Sequence, residues 1–132
     1  MKVGDFRLGE TFDIKFTTID GAGAASALVN GVVSAYPGNS VTEITSGITL
    51  TADFDGLAGL NNLRVVATSA NGYVAGENYV LVLTAGTVDA VSVVGYVVDH
   101  FSIENRTIKS NVKYINDVAV IGDGAGTAWG PA

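Results

Sequence analysis

Residues 73–103 read Tyr73-Val-Ala-Gly-Glu-Asn-Tyr-Val-Leu-Val-Leu-Thr-Ala-Gly-Thr-Val-Asp-Ala-Val-Ser-Val-Val-Gly-Tyr-Val-Val-Asp-His-Phe-Ser-Ile103. Two runs in this stretch, 79–84 and 91–103, are rich in valine, tyrosine and phenylalanine, which suit a pleated, half-buried surface. The short link between them carries Gly, Thr and Asp, residues suited to chain reversal. A link this short favours antiparallel pairing, and the resulting hairpin is the expected centre of the core.

Working outward, residues 11–18 alternate: Phe12, Ile14 and Phe16 on one face, Thr11, Asp13, Lys15 and Thr17 on the other. That is a strand with one wet face. Residues 26–36 are a further expected strand, bent at Asn30-Gly31, with a short helix over 22–29 as the alternative because alanine favours it. Pro37-Gly38-Asn39-Ser40 is a turn: proline presets one dihedral and glycine permits a positive φ. A short strand over 41–44 is expected next, then a turn at Ser46-Gly47 and a strand over 48–54 with Ile48, Leu50, Ala52 and Phe54 inward. Residues 57–62 are a connector able to hold one helical turn, 63–68 a strand and 69–76 a loop.

About seven strands spaced by turns, without a sustained helical period, predict an all-β antiparallel sandwich. Gly76-Glu77-Asn78-Tyr79 has the form of the tyrosine corner of immunoglobulin-like sandwiches, in which the hydroxyl ties back to nearby backbone. The predicted organisation is an immunoglobulin-like β-sandwich over residues 1–105 and a C-terminal extension over 106–132. Within the extension, 112–121 reads as a hairpin turning at Asn116-Asp117, followed by a glycine-rich arm that carries the single tryptophan, Trp129. Tyr114, Ile115, Val118, Val120 and Trp129 are the candidate interaction residues, since an aromatic anchor on an arm suits a neighbour's pocket. Whether the extension packs on its own domain or crosses to another is left open by the sequence.

Charge bounds the partners. The chain has 132 residues, of which 48% are apolar and only 15% charged, and a net charge of −6. About a quarter charged is usual for soluble domains. Neighbouring subunits covering part of the surface would account for the shortage, and abundant Thr, Ser, Asn and Gly offer another source of polar surface. The seven Lys and Arg are scattered, leaving no basic patch for nucleic acid or an anionic membrane. No run approaches the length of a spanning helix, and the first ten residues lack the apolar core of a secretory signal, so synthesis in the cytosol is expected. With no cysteine, neither disulfides nor thiolate metal sites can form.

The candidates for chemistry are few. His100 is the single histidine and reads as a structural residue, with Val98 and Ser102 beside it on its strand face. Asp53 and Asp55 in Asp-Phe-Asp-Gly lack the spacing and closing Glu of a calcium loop and read as turn formers. Asp5, Glu10 and Asp13 form no evident acid/base pair. Gly122-Asp-Gly-Ala-Gly lacks the Lys-Ser/Thr of a phosphate cradle. No catalytic residue, cofactor or metal ligand is therefore expected, and the chain is read as non-enzymatic.

Four segments carry a resemblance. Phe12-Asp-Ile-Lys-Phe-Thr-Thr, Gly47-Ile-Thr-Leu-Thr-Ala-Asp-Phe-Asp-Gly-Leu-Ala-Gly-Leu-Asn, Tyr73-Val-Ala-Gly-Glu-Asn-Tyr-Val-Leu-Val-Leu and Gly95-Tyr-Val-Val-Asp-His-Phe-Ser-Ile-Glu-Asn-Arg resemble, in order, a domain of tailed-bacteriophage virion structural proteins. The likeness covers roughly residues 5–107, and Trp129-Gly130-Pro131 resembles the end of such modules. It implies immunoglobulin-like folding, repeated copies, a virion location after assembly in the host cytoplasm, and contact with the major capsid protein or another virion component. Many tail-fibre relatives are much longer, which tilts the implied role toward a capsid-surface decoration, cement or head-fibre protein. A tail adaptor or tail-fibre attachment protein, or a carbohydrate-binding adhesion module with Tyr36, Tyr73, Tyr96, Tyr114 and Trp129 as platforms, are the alternatives. A homo-oligomer, most simply a trimer, is expected.

Overall fold

A computed structural model describes residues 2–105. The candidate residues Tyr114, Ile115, Val118, Val120 and Trp129, with the whole 106–132 extension, lie outside the described residues.

Eight strands make up the described fold: β1 (Lys2–Phe6), β2 (Thr11–Thr17), β3 (Leu28–Pro37), β4 (Ile48–Thr51), β5 (Leu60–Val66), β6 (Asn78–Val88), β7 (Val91–Ser92) and β8 (Val97–Ile103). They form two sheets, one ordered β1-β8-β6-β3 with β7 beside β6, the other β2-β5-β4. One core lies between them, built from Phe12 and Ile14 of β2, Leu63 and Val65 of β5, and Val33, Leu81, Leu83, Phe101 and Ile103 of the larger sheet. The expected all-β two-layer architecture is the observed one, and helical structure among the described residues is limited to single 3-10 turns at Phe54–Gly56 and Ser69–Asn71.

The central hairpin forms with its ladder antiparallel, but in a modified shape. β6 continues past residue 84 to Val88, and the chain reverses at Asp89-Ala90, both at positive φ (50° and 65°). This is the backbone of a two-residue primed turn, whose twist matches the flanking strands. The run 91–103 is not one strand. After β7 the chain turns over 93–96 while still bonded to β6, Val93 N–H to Gly86 O, Gly95 N–H to Leu83 O and Leu83 N–H to Tyr96 O, and regular pairing resumes with Val97 opposite Val82. A register shift then falls between Leu81 and Val82, and Val98 packs against the core. His100 therefore does not share a face with Val98, as alternation had implied; its cross-strand partner is Val80.

Four other points of the sequence reading are corrected. Residues 41–44 form no strand: only Ile44 bridges Ala35, and Val41 is 92% exposed. The strand at 48 ends at Thr51, because Asp53 turns into the left-handed region (φ 51°) and Phe54 enters a 3-10 turn. That turn lies just before the 57–62 connector, and β5 starts at Leu60, so Asn61 and Asn62 belong to the strand. Finally, β1 has no counterpart in the sequence reading, and it runs parallel to β8, with Phe6 opposite Ile103. The bend in β3 sits where expected, with Asn30 at φ 54° and a register shift between Val29 and Val32.

Aromatic rings link the layers. Phe6 stacks on Phe12 at 3.8 Å between centroids, and Phe101 lies 5.0 Å from Phe12 and 5.2 Å from Tyr79. The Tyr79 hydroxyl accepts a hydrogen bond from the Val74 backbone N–H at 2.8 Å, five residues upstream. Tyr79 itself is buried, and that burial holds its hydroxyl above the ordinary value of 10.0. Tyr79→Phe keeps the ring and leaves Val74 N–H without this acceptor. We expect a loss of about 1–2 kcal/mol, from the cost of an orphaned donor. Urea denaturation checks it, and an unchanged midpoint would show that water replaces the bond.

Candidate interaction face

The two outer faces of the sandwich differ in chemistry. On the three-stranded sheet, Asp13 and Arg64 are direct cross-strand partners and meet as a fork, Nε to Oδ1 at 3.0 Å and Nη2 to Oδ2 at 3.1 Å. Asn62 donates to the same carboxylate at 3.2 Å, Lys15 donates to Asn62 Oδ1 at 2.7 Å, and the Lys15 ammonium sits 4.4 Å from the Phe54 ring centroid. The Arg64 guanidinium, aided by Asn62, holds the Asp13 carboxyl below its ordinary value. This face is a hydrated polar network whose members satisfy one another, and exposed pairs of this kind add little stability.

The outer face of the five-stranded sheet carries a group of valines among polar residues. Strand periodicity sends Tyr79, Leu81 and Leu83 inward, so Val80, Val82 and Thr84 point out. Val97 stands opposite Val82 and is 53% exposed; Val32 of β3 is 44% exposed. The Ser34 and Thr84 hydroxyls bond each other at 2.8 Å, and Ser34 is fully buried. Between β3, β6 and the segment at 94–95 lies a groove of about 480 Å³, lined by Val32, Tyr36, Val82, Thr84 and Val94, with Glu43 at its rim. The Tyr36 hydroxyl donates to Glu43 Oε1 at 2.9 Å, and this carboxylate raises the hydroxyl's pKa. The exposed apolar side chains of this face are thus grouped around the groove, with polar groups at its border.

The same face receives the end of β8. Asp5 Oδ1 accepts hydrogen bonds from Ser102 Oγ and from the Asn105 backbone N–H, the latter at 2.9 Å. The Asn105 side-chain amide donates to Asn78 Oδ1 at 3.0 Å. Asn78 and Ser102 are register partners on the outward side, next to the inward pair Tyr79 and Phe101. Asn105 is thus held on the outer face of the five-stranded sheet.

No protein-family model, no curated protein and no solved structure matches this chain.

The residues singled out from sequence fall as follows. Asp5, on the five-stranded face, and Asp13, on the three-stranded face, are on opposite sides of the sandwich; Glu10 Oε1 accepts from Arg7 N–H at 2.9 Å. The three acids are not brought together. Asp53 Oδ1 accepts from Gly59 N–H at 3.1 Å, a loop-closing turn role, and Asp55 sits at φ 60° in the same turn. Among the described residues no three His, Cys, Asp or Glu side chains gather in a way that could hold a metal ion. Tyr73 is 1% exposed, so it offers no platform to a sugar, and burial holds its hydroxyl well above the ordinary value. Among the described residues no helix is long and apolar enough to cross a membrane.

The groove itself was missed from sequence. A signal for it exists: Tyr79-Val-Leu-Val-Leu83 is apolar at every position, where a strand with one wet face alternates. An unbroken apolar run implies cover on both sides of the sheet.

Proposed function

We propose that this chain is a non-enzymatic structural protein of a tailed-bacteriophage particle, a capsid-surface decoration, cement or head-fibre component present in repeated copies. The observation that carries the proposal is the valine-lined groove on the outer face of the five-stranded sheet, set against a charged, hydrogen-bonded network on the other sheet. A body whose exposed apolar residues gather on one side is suited to lie against neighbours in an assembly. The immunoglobulin-like part of the proposal is supported by the strand order β1-β8-β6-β3 over β2-β5-β4 and by the Tyr79 hydroxyl bonded to Val74 at the start of β6. The four segments that resemble virion modules supply the biological setting, and repeated weak contacts supply the physics of attachment.

The test is the composition of purified particles. Quantitative mass spectrometry is expected to find the chain in numbers comparable to the major capsid protein, as a repeated shell contact requires. A handful of copies would make it a tail adaptor, and its absence from particles would end the proposal. In the same experiment, full-length Val32→Lys with Val94→Lys is expected to lower incorporation about tenfold or more, equivalent to roughly 1.4 kcal/mol. Unchanged incorporation would remove the apolar face from the account.

A further inference from the structure

We propose that β2 pairs with itself: two copies of this chain join antiparallel along it about a two-fold axis at Ile14, and their three-stranded sheets become one continuous sheet. The inference goes beyond the virion reading and does not depend on it.

The edge is open. β2 ends the order β2-β5-β4, so one side of its backbone has no neighbouring strand. The bonds at the two ends of its ladder, Ala67 N–H to Glu10 O and Thr18 N–H to Gly59 O, each at 2.9 Å, fix the phase. Even-numbered residues bond to β5. Thr11, Asp13, Lys15 and Thr17 therefore turn their N–H and C=O groups the other way. Among the described residues no backbone group meets them there, and all four are exposed. Such a row of free donors and acceptors is a template for a further strand.

The sequence of β2 names that strand. Thr11-Phe-Asp-Ile-Lys-Phe-Thr17 reads the same from either end except at Asp13 and Lys15, which carry opposite charges. Antiparallel pairing about Ile14 sets Thr11 opposite the second copy's Thr17, Phe12 opposite its Phe16 and Asp13 opposite its Lys15. Threonine pairs, aromatic pairs and opposite charges are the cross-strand neighbours that stabilise a ladder. In this register the outward-turned residues of the two copies face one another, as hydrogen-bonded pairs must. A slip of one residue breaks that phase. A slip of two sets Asp13 against Asp13 or Lys15 against Lys15, and like charges directly opposite destabilise. Charges that guard an edge against strangers thus admit one partner in one register.

Both charged groups have capacity left. Asp13 Oδ2 accepts from Arg64 Nη2 at 3.1 Å, and a carboxylate oxygen accepts more than one bond. The Lys15 ammonium donates to Asn62 Oδ1 at 2.7 Å and keeps protons to spare. The charged network of each copy therefore extends across the seam. On the inner side of the strand Phe16 is only half-buried, and a facing strand adds cover.

A charge exchange between copies tests the register. Lys15→Glu gives a strand with two acidic positions, and Asp13→Lys gives one with two basic positions. Each variant alone must set like charges opposite each other twice across the axis. A mixture of the two sets acid opposite base at both places. Sedimentation equilibrium is run on the full-length parent, on each variant and on the equimolar mixture. The parent is expected to be a dimer, each variant to associate about tenfold or more weakly, and the mixture to recover to within about threefold of the parent. Recovery also shows that both variants are folded. A parent that stays monomeric would overturn the proposal. So would variants that dimerise as tightly as the parent, since the contact would then lie on another surface, or a mixture no tighter than its components. Particles play no part in this measurement, so its outcome is distinct from that of the virion test.

Discussion

Replacing Phe101 with alanine is expected to remove about 3–5 kcal/mol of stability, as deletion of a buried aromatic ring usually does. The ring is 1% exposed and stands where the two layers meet, 5.0 Å from Phe12 of one sheet and 5.2 Å from Tyr79 of its own, with Tyr73 and Phe6 at 6.2 and 6.3 Å. Its loss opens a cavity that four rings line and that none of them can fill alone. Small domains have only about 5–15 kcal/mol in total. Phe101→Ala should therefore be partly unfolded at modest urea, with a denaturation midpoint far below the parent. Phe101→Leu, which keeps most of the volume, should recover more than half of the difference. A midpoint within experimental scatter of the parent for the alanine variant would show that the aromatic cluster is not the keystone assigned to it.

The second large effect is expected at Gly59, in the loop that leads into β5. Its φ is +86°, and a Cβ placed there would lie 2.6 Å from the Ser26 nitrogen and 2.9 Å from the Thr18 oxygen. Both are backbone atoms, fixed by their own bonds: Thr18 N–H donates to Gly59 O at 2.9 Å, and Ser26 N–H to Thr18 O at 2.8 Å. Nearby, the buried Asn61 amide ties Thr18 Oγ1 and Gly59 O together, each at 3.2 Å. Gly59→Ala must bear both left-handed strain and overpacking, so we expect a cost of about 2–4 kcal/mol. Gly76 separates the two causes. It has φ +89° but nothing within 4 Å of the place a methyl group would take, so Gly76→Ala should cost only about 1 kcal/mol. Equal midpoints for the two variants in urea would mean that the close approach at Gly59 relaxes freely.

What was legible in the sequence was whatever the local pattern decides. Strict alternation placed β2 to within one residue of its end, and Asn30-Gly31 marked the bend in β3. Tyr79 was identified as a corner residue by the turn before it, and its hydroxyl does reach back to Val74. What failed was decided by distant partners. β1 contains Gly4 and Asp5, both poor strand formers, and it becomes a strand because β8 is there to receive it. The reverse holds at 41–44, where sequence favours a strand but one bridge to Ala35 is all the pairing available. Asn61 and Asn62, read as part of a connector, belong to β5: Asn61 is wholly buried, and its amide spans the Thr18–Gly59 junction, a task no apolar residue performs. The groove went unseen because the hairpin was read only as the centre of the core, whereas a strand apolar on both sides serves two surfaces.

The parallel pairing of the first and last strands has a mechanical meaning. The chain enters β1 at Lys2, opposite His100, and leaves β8 beyond Ile103, opposite Phe6. Tension applied between the entry and exit points pulls these two strands past each other lengthwise. Their cross-strand bonds are then loaded together in shear, rather than peeled apart one after another. A module tethered at both ends would resist being drawn out through that single seam.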